Sequence, residues 1–121
     1  MKNITKKILL ECGIAAHLMG FSYLGEAVEM TVADKQAFKH NTTGLYSEIA
    51  KKFGVRWQSV ERSIRKAVES SFDLLTPDQI YAVYRNSIDC RRGKPSNSQF
   101  IATIAELFGD EIDRISERFD Y

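Results

Sequence analysis

The stretch VERSIRKAVE, residues 60–69, carries two kinds of side chain at helical spacing. Wound at about 100° per residue, Val60, Ile64, Ala67 and Val68 share one face, and all four are apolar. Gln58, Arg62, Arg65 and Glu69 cluster on the opposite face, flanked by Glu61 and Lys66, with Trp57 near the edge of the apolar stripe. That outward set has a definite chemistry. An arginine fork can bond guanine through two acceptors, a glutamate can accept from the cytosine amino group, and a lysine meets phosphate as a point charge.

Such a face needs a corner to present it, and the residues just before it supply one. With Ala50 at the fifth position of a helix–turn–helix template, Ile49 and Phe53 are apolar, Gly54 falls at the turn, and Val55 and Val60 follow. A small residue at position five lets the two helices cross closely, and glycine takes the φ > 0 of the turn without steric cost. Ala50, Gly54, Val60 and Ile64 are therefore the expected structural residues, with Val55 and Val60 filling the wedge between the helices. Two positions depart from the template. Ser63 stands where an apolar residue is usual, and Arg56 where a Ser or Thr cap is expected.

Apolar residues recur at helical rather than strand spacing almost throughout the chain. ITKKILLECGI is a first helix stopped at Gly13, and HLMGFSYLGEAVEMTVAD a second. Gly20 and Gly25 weaken that second helix by about 1 kcal/mol each relative to Ala unless they serve close helix contacts. KQAFKHNTTG is turn-rich and reads as a loop, LYSEIAKKF as a short amphipathic helix, and the arginine-rich helix runs on to about Phe72. TPDQ announces another helix, with Thr76 as cap, Pro77 in the first turn and Gln79 closing a capping box. CRRGKPSNSQ is a loop, and Ser96 or Asn97 caps a last helix through FIATIAELF. The expected architecture is all-α: a compact six-helix domain containing a helix–turn–helix.

The length of 121 residues suits one domain over 1–121, and 44% hydrophobic with 27% charged residues suits a folded one. No apolar run approaches the roughly 18 residues of a membrane span, and the lysine-rich start reads as a helix rather than a signal peptide. Cys12 and Cys90 are far apart and outside any zinc spacing, so two buried thiols in the cytoplasm are expected, with no metal and no cofactor. The net charge of +1 conceals a division. Residues 50–69 hold six cations against two carboxylates, or +4, whereas residues 106–121 hold six carboxylates against two arginines, or −4. A basic middle points to a polyanion.

Several segments together resemble the C-terminal DNA-binding effector domain of the stage-zero sporulation response regulator of endospore-forming bacteria. They are GIAAHLMGFSYLGEAVEM, LYSEIAKKFGV, VERSIRKAVE and KPSNSQFIA, in the family's order and spacing from about Ile4 to Ile112. The resemblance implies a six-helix fold whose third and fourth helices form the helix–turn–helix. It also implies a recognition helix built on Val60, Glu61, Arg62, Ile64 and Arg65. Base reading falls to Glu61, Arg62 and Arg65, with Gln58 counted beside them, and Lys52, Arg56, Ser59 and Lys66 fall to the DNA backbone. Double-stranded DNA, often as tandem boxes that would seat a homodimer, and RNA polymerase are the implied partners. Trp57, Gln58 and Ser59 depart from the family's small or polar residues at the helix start, and Asp113 stands near an expected basic contact. No receiver domain of the family's full-length regulator lies within residues 1–121.

Elsewhere, Arg91, Arg92 and Lys94 beside a helix start are further candidates for phosphate. His17 reads as a structural histidine between helices, His40 as an exposed loop residue, and Tyr81 and Tyr84 as core or rim aromatics. No nucleophile elbow, P-loop or paired-carboxylate motif is present, so the sequence points away from an enzyme. The competing reading is an interaction module of the same fold, without a receiver, that binds a related regulator or polymerase and reads no operator.

Overall fold

The computed structural model describes residues 1–38 and 41–119, so His40 lies outside the described residues. Its elements are α1 (Asn3–Glu11), α2 (Met19–Ala33), α3 (Lys35–Phe38), α4 (Thr42–Phe53), α5 (Trp57–Leu74), α6 (Pro77–Tyr84), a single 3₁₀ turn (Cys90–Arg92) and α7 (Asn97–Phe119). Among the described residues there is no strand. Among the described residues there are seven α-helices, one more than the six expected. The additional one is α3, four residues in a segment expected to be loop, started where the Asp34 carboxylate accepts the Ala37 N–H at 3.1 Å.

Helix α2 is apolar on most of its circumference, as a central helix must be. It contacts α1, α3, α4, α5 and α7, and Leu24, Ala27 and Val28 are completely buried. Gly20 explains how α2 and α5 approach so closely. A Cβ at position 20 would collide with the Ser63 carbonyl oxygen and the Ala67 side chain. The half-buried Ser63 thus meets Gly20 through its backbone carbonyl. Gly25 has a different neighbour, the Met1 side chain.

Caps set the helix ends. Asn41 accepts the Gly44 N–H at 3.1 Å, so α4 begins three residues before the expected Leu45. Thr76 and Gln79 form the expected reciprocal capping box at the start of α6, with Pro77 at the first position. Ser96 and Gln99 exchange the same pair of bonds, at 3.2 and 2.9 Å, at the start of α7. The cap is therefore Ser96, and Asn97 is released for another task. Helix α7 continues well past Phe108, carrying exposed Asp110, Glu111 and Asp113 on a helix rather than a loose tail. The side chains of Glu117 and Asp120 lie outside the described residues.

Phe72, Tyr84 and Phe100 join α5, α6 and α7. The first two rings stack at 5.3 Å and Phe100 meets them edge-on at 6.4 and 6.1 Å. Each such pair adds about 0.5–1.5 kcal/mol beyond its buried area. Tyr84 is core, whereas Tyr81 is 53% exposed. Ser71 donates to the Cys12 carbonyl at 2.7 Å, tying α5 to the end of α1. Cys12 is buried as expected, and burial pushes its thiol up to about 11; the Cys90 side chain lies outside the described residues. His17 differs from expectation: it is exposed on the turn between α1 and α2.

Candidate nucleic-acid interface

The corner forms as its residue types require. Gly54 ends α4 at φ 67°, ψ 37°, the left-handed region, and the N–H groups of Gly54 and Val55 both turn back to the Ala50 carbonyl. Ala50 and Ile49 are buried beneath this cap, and Val60 and Ile64 are completely so. Val55 departs from its expected place in the wedge, being 39% exposed. Its backbone is committed to capping α4, which turns the side chain outward, and Val60 fills the junction without it. Arg56 sits at the N-cap of α5 with no side-chain cap bond, and its carbonyl accepts the Ser59 and Val60 N–H groups at 3.0 and 3.3 Å.

Beyond the corner, α5 divides as its sequence indicates. Val60, Ile64, Ala67 and Val68 are buried, while Gln58, Arg62, Arg65, Lys66 and Glu69 are exposed. An open groove of about 870 Å³ runs along this outer face. Its wall on one side is the start of α4, with Thr42, Thr43 and Tyr46. The face of α5 supplies Trp57, Gln58, Glu61, Arg62, Arg65 and Glu69, and the segment from Lys94 to Gln99 closes the other side. All four expected base readers therefore share one concavity. Of the expected backbone contacts only Lys94 lines it; Lys52, Arg56, Ser59, Lys66, Arg91 and Arg92 are exposed around or away from it.

The charges divide into two populations. Arg65 pairs with Glu61 one turn earlier, an exchange worth only a few tenths of a kcal/mol in such an exposed pair. Lys52 reaches the Glu26 carboxylate on α2 at 2.8 Å. Lys94 bonds Asp73 at the end of α5, which holds its ammonium pKa above the ordinary lysine value. Arg91 grips Asp89 with two guanidinium nitrogens at 3.0 and 3.2 Å and also through its backbone N–H at 3.0 Å, while Arg92 approaches the same carboxylate at 3.9 Å. These bonds hold the Asp89 carboxyl below its usual value. Among the described residues, Arg56, Arg62 and Lys66 have no carboxylate within 4.0 Å.

One interaction has no counterpart in the sequence pattern. The Asn97 side-chain amide donates to the Glu61 carbonyl at 3.0 Å, fastening the start of α7 to the second turn of α5. Tyr46 lies against the same junction: burial pushes its phenol above the ordinary tyrosine value, and Asn97 beside it counters part of the shift. The signal is present in KPSNSQ, but Asn97 there resembles a helix cap and its true partner is 36 residues away. Among the described residues no group of three or more His, Cys, Asp and Glu side chains is placed to hold a metal, and no helix is long and apolar enough to cross a membrane.

Comparison with known families matches residues 5–108 to the family described as sporulation initiation factor Spo0A C terminal. The chain belongs to that family, which is the DNA-binding effector domain of a sporulation transcription factor and not a family of enzymes.

Proposed function

We propose that this member of the family is a sequence-specific regulator of transcription that reads duplex DNA with α5. In this reading α4 and α5, about residues 45–72, act as a helix–turn–helix, and α5 enters the major groove. Gln58, Glu61, Arg62 and Arg65 contact base edges. Lys52, Arg56, Ser59, Lys66, Arg91, Arg92 and Lys94 serve the phosphates, with Arg56 and Lys66 foremost. Residues 1–121 act as one domain around one core, in the cytoplasm where bacterial DNA lies. A second copy on a tandem site and RNA polymerase are the further partners this reading carries.

The observation that supports it most is the division of α5: four polar side chains able to bond base edges gathered in one groove, over apolar residues sealed in the core. The Glu61–Arg65 pair fits the same reading. It holds both side chains over the groove, and an exposed pair this weak is readily exchanged for bonds to bases.

Selection of the full chain against random duplex DNA, followed by binding measured across salt concentrations, tests the proposal. An enriched motif bound more tightly than random duplex is expected. No motif, with only weak salt-dependent binding, favours instead the interaction module that binds a protein partner. The observation on that side is the pairing of Lys52 and Lys94 with Glu26 and Asp73, which reduces the charge offered to a polyanion.

A further inference from the structure

Trp57 is unexplained by the fold. It is the first residue of α5 and the only tryptophan of the chain. Its side chain is 38% exposed, and it belongs neither to the buried core nor to the partly buried residues packed against it. Among the described residues it makes no ring–ring contact, although Phe53 nearby meets Tyr23 edge-on at 5.1 Å. Helix propensity gives no reason for an indole at this position, since aromatic residues are mediocre helix formers. Burial of a tryptophan is among the larger apolar gains a protein has available, and here a substantial part of it is left unused.

Its location restricts what would complete that burial. Trp57 lines the same groove as Gln58, Glu61, Arg62 and Arg65, so whatever these four engage also meets the indole. Residues at the N-terminal end of a recognition helix are those that reach base edges. The major groove is lined by hydrogen-bonding groups with one apolar exception, the C5-methyl of thymine. An indole face is a poor match for guanine, cytosine or adenine edges and a good one for that methyl.

We infer that Trp57 is a specificity-determining residue, packing its indole on a thymine methyl at the edge of the bound site. The inference rests on the DNA-reading function proposed above and adds to it a base preference at the entrance of α5. The indole supplies the apolar contact, while the arginines and Glu61 read the polar edges further along the helix.

The test uses the duplex that the chain of residues 1–121 selects from a random pool. Each thymine of that duplex is replaced in turn by uracil, which pairs identically but lacks the methyl group. Binding is measured for the wild type, Trp57→Ala and Trp57→Phe. At one thymine, removing the methyl should weaken the wild type about 4-fold, the scale of one buried methyl group. The same replacement should leave Trp57→Ala unchanged, and Trp57→Phe should keep part of the penalty. Circular dichroism of both variants verifies the fold, and Trp57→Phe preserves an aromatic ring should the alanine variant be unstable. Uracil penalties equal in all three proteins overturn the role of Trp57 and leave the DNA-reading function standing. A uniform weakening for Trp57→Ala on selected and random duplexes alike also overturns it, moving the indole to the sugar–phosphate backbone. A wild-type chain that enriches no motif removes both proposals together.

Discussion

The outer face of α5 and the segment from Arg85 to Ser96 carry similar numbers of cations, yet they present them differently. On α5, Arg62 and Lys66 project from a helix anchored by six buried residues, and no carboxylate of the described residues approaches them within 4.0 Å. In the second segment Arg91 and Arg92 converge on Asp89, and Lys94 is held by Asp73. A count of lysines and arginines treats the two regions as equal. What a phosphate meets is the charge remaining after local pairing, presented on a backbone rigid enough to aim it.

The sharpest way to break this contrast is Arg62→Ala. It should cost about 1–3 kcal/mol on the selected duplex and much less on random sequence, measured by competition binding. Equal costs on both would make Arg62 one more backbone cation. Next in size is Lys66→Ala, which should weaken all sequences alike and reduce the slope of log K against log salt by about 1. Arg91→Ala should reduce that slope less, and a matching reduction would erase the distinction between the two regions.

Asp89→Asn sharpens the comparison from the other side. Removing the carboxylate that Arg91 and Arg92 share should tighten binding to random duplex at low salt and steepen the salt slope, by less than Lys66→Ala flattens it. The smallest effect on DNA is expected from Arg85→Gly. Arg85 adopts φ 55°, ψ −126° at the end of α6, a region where side chains are strained. The guanidinium of Arg85 also lies over the Tyr81 ring, 5.8 Å from its centroid, an exposed attraction that offsets part of the strain. Glycine there should give a net stabilisation of about 1 kcal/mol in thermal melts. Binding should be unaffected, since Arg85 lies outside the groove.

The elements legible in the sequence are those governed by neighbours a few residues apart. The apolar stripe of α5, the left-handed Gly54 and the Thr76–Gln79 capping box depend on local spacing, and each stands where its residues indicate. α3 leaves no periodic signal because four residues are too few for one, and a single Asp34 cap decides them. The exposure of Val55 is hidden for another reason. Its backbone N–H is taken by Ala50, so side-chain hydropathy does not govern its direction. The pairings at the interface are illegible because they join distant positions: Glu26 with Lys52, Asp73 with Lys94, Glu61 with Asn97. Glu61 with Arg65 does have a spacing that announces a pair, but the outward chemistry of each residue suggests two separate readers instead.

Gly20 couples the interior of the molecule to the position of α5. The backbone of α5 at Ser63 rests directly against that glycine on its inner side, one residue from the outward-facing Arg62. In the DNA-reading function proposed above, a methyl group at position 20 would act as a wedge under α5, tilting its outer face while touching none of the residues that line the groove. On that proposal, base preference is adjustable from inside the core. Under it, a change in target site need leave no trace among the groove residues Gln58, Glu61, Arg62 and Arg65.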